Sequence, residues 1–265
     1  MAIGPDNRFQ GGSAWTQPFG RSAAVDAAQL DEGLRAYMLR VYNWMASGLL
    51  LTGIVAYLVA NTGAAELFYQ VVRTPRGVAV SPTLLGWVAM FSPLAFILVL
   101  GFGANRMSKS TAQAMFWAFA AVMGLSLSNV FLIYTSASIA STFFITAAMF
   151  AGVSLYGYTT KADLTRMGSF LIMGVWGLLL AMIVNIFLQS SALSFAISAI
   201  GVLVFTGLTA YDTQRIKADY LEHAYAEGTE MAGKRSVFDA LTLYLNFINM
   251  FQFMLQFMGV RQSGE

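Results

Sequence analysis

One carboxylate and a row of amides stand out among the apolar residues near the end of the chain. Asp212 is the only carboxylate well inside an apolar run, and a charge at that depth costs roughly 2.5–3.5 kcal/mol on membrane-insertion scales. The next apolar segment carries six polar side chains at steps of three or four residues: Asp239, Thr242, Asn246, Asn249, Gln252 and Gln256. This spacing puts all six on one face of an α-helix. Because unpaired amides are costly in hydrocarbon, we expect this face to look into a helix bundle.

A carboxylate in such a bundle can control a path for ions. Arg215 would form an i, i+3 pair with Asp212 at the membrane interface, and Arg106 is a rival partner from elsewhere in the chain. If Asp212 points inward, it can titrate near neutral pH and gate a path by gaining or losing its counter-ion. Asp239 has a simpler interpretation, as an acidic residue in a first helical turn that the helix dipole stabilises.

The elements that position these residues are apolar helices. The chain has 265 residues, of which 57% are hydrophobic and only 11% charged, whereas about 25% is typical of soluble domains. Seven runs approach the roughly 20 residues that cross a bilayer: 41–60, 83–102, 112–134, 138–158, 168–188, 193–216 and 236–259. We therefore predict an all-α membrane protein with seven transmembrane helices. A polar cluster in the third run, with Ser126 and Asn129, could line the same interior as the amides.

The segments outside the runs differ in composition. Residues 1–25 are polar and Gly-rich, without the features of a signal peptide, and we expect a retained, disordered cytoplasmic tail. Residues 26–40 have one apolar face and predict an amphipathic helix that lies on the membrane and continues into the first span. Residues 41–259 would form the transmembrane domain, and residues 260–265 a short tail.

The loop cations predict the orientation. Of the 15 Lys and Arg residues, all but Arg73, Arg76 and Arg261 fall on the side of the N-terminus. Cytoplasmic loops are enriched in cations, so we expect a cytoplasmic N-terminus and, with seven spans, an external C-terminus. If the last run were re-entrant, the C-terminus would return to the cytoplasm.

Composition and motifs argue against several classes of protein. The absence of cysteine excludes disulfides and thiol chemistry, and a single histidine makes a poor metal site. Phosphate-binding, zinc-protease and nucleophile-elbow motifs are absent, and nothing indicates nucleic-acid binding or an organic cofactor. An intramembrane aspartyl protease would need a second carboxylate beside Asp212, where Asn246 is the spatially plausible residue. We therefore predict that the chain is not an enzyme.

Several segments resemble the Bax inhibitor family in its bacterial branch. They are 124–128 (GLSLS), 156–164 (YGYTTKADL), 211–217 (YDTQRIK), 240–251 (ALTLYLNFINMF) and 257–259 (FMG). The resemblance covers residues 35–259, and the motifs of the last two spans are the most specific. It implies that the last helix is surrounded by the other six, and that the protein is a pH-sensitive calcium leak of the bacterial inner membrane.

The resemblance also implies roles for three residues. In the family two aspartates of the last two spans share a proton, and an arginine at the end of the second span helps to latch the closed state. Asp212 matches the first aspartate and Arg106 the arginine, but Asn246 stands in place of the second aspartate. This leaves one proton-binding site and a weaker calcium ligand set, with Asp212 as the candidate ligand.

Two functional hypotheses follow. The first is a path for calcium or another cation, lined by the polar face of the last helix and closed by Asp212 with Arg106 and Asn246. The second, also implied by the resemblance, is a non-transporting modulator of a membrane-bound AAA protease, engaged through the N-terminal tail. Deleting residues 1–25 should abolish only the second activity.

Overall fold

The structure is almost entirely α-helical. The computed structural model describes residues 19–74, 77–103, 106–223 and 229–262. The elements are α1 (Phe19–Ala60), α2 (Ala65–Phe68), β1 (Tyr69–Thr74), β2 (Gly77–Pro82), α3 (Leu84–Gly103), α4 (Lys109–Ile133), α5 (Ser136–Thr159), α6 (Thr165–Leu188), α7 (Ser191–His223) and α8 (Thr229–Met258). The predicted fold class, an all-α membrane protein, is confirmed.

Six helices among the described residues are long and apolar enough to cross a bilayer. They are Leu30–Ala60 of α1 together with α3, α4, α5, α6 and α7, and they coincide with the first six predicted runs. The seventh predicted run coincides with α8 up to Met258. Its amide side chains lower the hydropathy of this run, so hydropathy alone does not mark α8 as a span.

The last helix, α8, occupies the centre of the bundle. Four helices, α1, α4, α5 and α7, pack directly around it, whereas α3 packs mainly on α4 and α6 on α7. At one end of α8, a Cβ on Gly233 would lie 2.7 Å from Lys109 Cε at the start of α4. At the other end, Arg261 pairs with Tyr134 just after α4. The two helices therefore run in the same direction through the full depth of the bundle.

The first helix departs from the predicted surface helix. α1 continues without a break from Phe19 to Ala60, and the predicted membrane-facing side is buried in the protein: Leu34, Tyr37, Met38 and Val41 are at most 4% exposed. The Tyr37 ring packs on Tyr220 of α7, tilted by 33° with 4.8 Å between centroids. An apolar face suits a neighbouring helix as well as lipid, and here α7 and α8 extend far enough to cover it.

The predicted terminal tails lie only partly within the described residues. Of the predicted tail 1–25, residues 1–18 lie outside them, and residues 19–25 belong to α1. At the other end, residues 260–262 are attached to the α4–α5 connection rather than free. The Val260 carbonyl accepts from Thr135 N (3.0 Å), and Gln262 N donates to the Ile133 carbonyl (2.9 Å). Residues 263–265 lie outside the described part of the chain.

An antiparallel hairpin between α2 and α3 was not predicted. Its register runs from Tyr69 opposite Pro82 to Thr74 opposite Gly77. Tyr69 is buried, and its hydroxyl donates to the Ser126 carbonyl of α4 over 3.3 Å. The valines at 71, 72, 78 and 80 are the residues that favour strands, and they were the signal available in the sequence.

Candidate functional site

Asp212 lies in the interface between α7 and α8. Asp212 and Asn246 are each 5% exposed. Asn246 Nδ2 donates to Asp212 Oδ2 over 2.8 Å, and Arg215 Nη2 lies 3.1 Å from Asp212 Oδ1. The carboxylate is thus shared between an amide of the central helix and a guanidinium of its own helix. Both interactions stabilise the charged form of Asp212, and a buried carboxylate requires partners of this kind.

A chain of hydroxyls runs beside this pair and links three helices. Thr213 Oγ1 donates to the Thr209 carbonyl (2.8 Å), so its lone pairs are left to accept from Ser154 Oγ of α5 (2.9 Å). Ser154 in turn accepts from the Tyr42 hydroxyl of α1 (2.6 Å). This direction follows because each hydroxyl has one proton to donate. The chain fixes α1 and α5 against the turn of α7 that carries Asp212.

The next residues of the same segment hold the α5–α6 connection. Gln214 Nε2 donates to the Ala162 carbonyl (2.7 Å) and its Oε1 accepts from Leu164 N (2.9 Å). Lys217 Nζ donates to the Tyr158 carbonyl at the end of α5 (2.8 Å). Within the segment 211–217, Asp212 therefore contacts the central helix, whereas Gln214 and Lys217 hold the α5–α6 connection. The contacts with this connection were not predicted from the sequence.

Two glycines let the outer helices approach α7 at the level of Asp212. A Cβ on Gly157 of α5 would lie 2.3 Å from the Ala210 carbonyl oxygen. A Cβ on Gly168 of α6 would lie 2.4 Å from the Tyr211 ring. Real Cβ atoms do not come this close. Position 157 therefore requires glycine, because the atom it meets belongs to the backbone, whereas at position 168 the Tyr211 ring would have to shift.

The polar residues of α8 reach different neighbours. The Tyr37 hydroxyl of α1 donates to Asp239 Oδ2 (2.5 Å), and Ser198 Oγ of α7 lies 3.3 Å from the Gln256 amide. Thr242 donates to the Phe238 carbonyl of its own helix (3.2 Å). The polar face of α8 thus contacts α1 at Asp239 and α7 at Asn246 and Gln256.

The comparisons with known proteins decide the family. A sequence model of the family described as "Inhibitor of apoptosis-promoting Bax1" matches residues 34–263. The chain belongs to this Bax inhibitor family. It is 44% identical to the "Inner membrane protein YbhL" of Escherichia coli K12 over 245 residues, which cover 92% of this chain and 99% of YbhL. It is 47% identical to a Caulobacter vibrioides protein over 243 residues, 91% of this chain and 96% of that one.

Of the three residues to which the Bax inhibitor family resemblance gave roles, the structure brings together two. Asp212 and Asn246 are in direct contact. Arg106 is exposed, just after α3, and among the described residues the ion pair of Asp212 is with Arg215. The reason is geometric: Arg215 lies one turn away on the same helix, whereas α3 packs on α4 and not closely on α7.

The remaining predicted lining residues are partly exposed. Asn249 and Gln252 are half-buried on α8, one and two turns beyond Asn246. Ser126 and Asn129 are half-buried on α4. The structure thus places two of these residues on α8 and two on a direct neighbour of α8. Their part in an ion path stays a prediction.

The suggested calcium ligand has few charged neighbours. In the part of the chain that the structure describes, no three His, Cys, Asp or Glu side chains come together. A calcium ion at Asp212 would therefore take its remaining oxygens from Asn246, from the backbone or from water.

Proposed function

We propose that the protein is a cation-permeable path of the bacterial inner membrane, with calcium as the permeant ion. The closed state is held by Asp212 of α7 bonded to Asn246 of α8 and paired with Arg215. The observation that supports this proposal is the buried Asp212–Asn246 hydrogen bond, which joins the central helix to a neighbour at a titratable group. The Escherichia coli relative is named an inner membrane protein, which supports the location.

The gate works through one proton. With Asp212 charged, the Arg215 pair and the Asn246 bond both stabilise the packed interface. When the pH falls far enough for Asp212 to bind a proton, the ion pair is lost and the hydrogen bond becomes a weaker neutral one. The free energy that holds α7 on α8 then decreases, and the path opens. Because the Asn246 amide does not titrate, the response has a single step.

The proposed path needs α8 to cross the membrane as a seventh span. Its two ends lie beside the two ends of α4, an apolar helix of 25 residues. A helix that accompanies a spanning helix from end to end also spans, and its four direct neighbours shield its amides from lipid. With the cation-rich connections in the cytoplasm, the N-terminus is inside and the C-terminus outside.

The test is calcium flux into liposomes that contain the purified protein. We expect wild-type flux to increase as the pH falls, and Asp212→Asn to give a high flux that does not depend on pH. Asn246→Asp places a second carboxylate beside Asp212, so its flux should follow pH in two coupled steps. Asp163→Asn, at an exposed carboxylate of the α5–α6 connection, is the matched control and should behave as wild type.

Two further variants identify the cation that holds the gate. Arg215→Gln should raise the flux at neutral pH, whereas Arg106→Gln should leave it unchanged if the closed state is the one described here. The opposite result would assign the closed state to Arg106. Equal, pH-independent flux in wild type, Asp212→Asn and Asn246→Asp would contradict the gating proposal altogether.

A further inference from the structure

Two adjoining cavities lie between α1 and α4, at the end of the bundle where both helices carry cations. The outer cavity, of about 520 Å³, is lined by Arg40, Lys109, Ser110, Gln113 and Glu230. The inner cavity, of about 540 Å³, is lined by Ala36, Leu39, Arg40, Asn43, Trp44, Ser47 and Trp117. Arg40 lines both, so the two form one cleft, which we call the α1–α4 cleft.

The two walls of the α1–α4 cleft present the same residue types in the same order. Along α1 a cation is followed by an amide and a tryptophan: Arg40, Asn43 and Trp44. Along α4, Lys109, Gln113 and Trp117 follow at steps of four residues, which places them on one face. At 1.5 Å per residue, the step from Lys109 to Trp117 covers about 12 Å of depth. The cleft therefore changes from charged to polar to aromatic toward the membrane interior.

The side chains of the cleft are available to a ligand. Arg40 is exposed and Lys109 half-buried, and within the described residues neither forms an ion pair with Glu230, the one carboxylate of the cleft. The two tryptophan rings meet edge to face, with centroids 5.8 Å apart, and Trp117 is 39% exposed. Aromatic rings in such positions lie at the level of lipid headgroups.

We propose that the α1–α4 cleft binds an anionic phospholipid of the adjacent leaflet. Arg40 and Lys109 would hold the headgroup phosphate, and the amides of Asn43 and Gln113 are placed to bond the glycerol and ester oxygens. The acyl chains would leave along the tryptophan rings. Basic pockets between transmembrane helices bind headgroups in this way. The aromatic inner cavity favours a lipid over a free phosphate, which would occupy only the outer cavity.

Tryptophan quenching tests the site directly. Purified protein in neutral detergent is titrated with phosphatidylglycerol or phosphatidylcholine, each with brominated acyl chains that quench nearby indole rings. We expect phosphatidylglycerol to quench the tryptophan fluorescence at lower concentrations than phosphatidylcholine, because its affinity for the cleft is higher. The double variant Arg40→Gln/Lys109→Gln should weaken the affinity for phosphatidylglycerol by about 25-fold at low ionic strength, at about fivefold for each cation.

The control variants distinguish a specific binding site from a general attraction between surface cations and an anionic lipid. Lys161→Gln/Arg166→Gln removes two exposed cations from the α5–α6 connection, at the same end of the bundle, and should keep wild-type affinity. Arg40→Lys/Lys109→Arg should keep most of it, and Glu230→Gln should increase it, because a carboxylate that opposes the phosphate is removed. Circular dichroism of each variant verifies that the helices are intact.

Three results would overturn the proposal. They are equal quenching by the two brominated lipids, an equal loss of affinity in the two double glutamine variants, and displacement of phosphatidylglycerol by inorganic phosphate, which would indicate a free-phosphate site.

Discussion

Two buried carboxylates attach the central helix to its neighbours, and they do so by different means. Asp212 of α7 is 5% exposed and Asp239 of α8 is 9% exposed. Asp212 accepts from an amide of α8 and has a guanidinium of its own helix beside it. Asp239 accepts from the Tyr37 hydroxyl of α1. Asp212 lies where α5 and α6 pack closely on α7. Asp239 lies in the third turn of α8, not in the first turn where the helix-dipole interpretation placed it.

The packing around the two carboxylates also differs. Beside Asp212, two glycines allow α5 and α6 to close on α7, at Ala210 and at the Tyr211 ring. At Asp239, the contact that accompanies the hydrogen bond is the packing of the Tyr37 ring on Tyr220. Where helices pack as closely as at Asp212, they cannot readily rearrange to supply another partner for a buried charge that has lost one. The α7–α8 interface should therefore be the more sensitive of the two.

Asn246→Leu should have the largest effect on stability. It removes the amide that satisfies Asp212 and leaves a buried carboxylate oxygen without its donor, which should lower the free energy of unfolding by about 3 kcal/mol. The measurement is an SDS titration in mixed micelles, followed by circular dichroism. Asn249→Leu, at a half-buried amide of the same helix, is the matched control and should change the stability much less. Equal decreases in the free energy of unfolding would show that the Asn246–Asp212 hydrogen bond stabilises the protein no more than a half-buried amide elsewhere on α8.

Gly157→Ala should have the second-largest effect on stability. It tests the close packing of α5 on α7 rather than the charge of Asp212. The added methyl would meet the Ala210 carbonyl oxygen, so α5 and α7 must separate, and the free energy of unfolding should decrease by about 2 kcal/mol. Gly152→Ala adds the same methyl on the same helix with no atom within 4 Å, and should be neutral or slightly stabilising. If the two variants were alike in the SDS titration, close packing at Asp212 would not explain its sensitivity.

The contact at the centre of this comparison could be predicted because its residues are unusual for their surroundings. A lone carboxylate and a row of amides in apolar segments must find each other or water, which predicted that Asp212 meets the amide face of the last helix. The choice of Asn246 among the amides rested on the family resemblance. Arg215 could not be preferred over Arg106 from the sequence, because the choice depends on how α3 packs, and α3 is almost uniformly apolar. The hydrogen bonds of Gln214 and Lys217 to the α5–α6 connection could not be predicted, because they depend on the path that this connection takes.

The periodicity of the sequence identified the apolar and polar faces of the helices, but not whether lipid or protein covers each face. The apolar face near Met38 was assigned to lipid, and the structure assigns it to protein, since both environments select the same side chains. The polar face of α8 was expected to look in one direction. Asp239 and Asn246 do lie on one face, seven residues apart, but that face meets two helices: Asp239 accepts from Tyr37 of α1, and Asn246 donates to Asp212 of α7.

Tyr37→Phe should have the smallest effect of the three and completes the comparison. The variant keeps the ring that packs on Tyr220 and removes only the hydroxyl that donates to Asp239. One neutral donor is lost and no ion pair is disturbed, so the free energy of unfolding should decrease by about 1 kcal/mol. Tyr57→Phe, at an exposed position of the same helix, is the control and should be neutral in the SDS titration. A loss as large as that of Asn246→Leu would show that Asp239 is as dependent on its partner as Asp212, and that the α1–α8 and α7–α8 interfaces are held equally tightly.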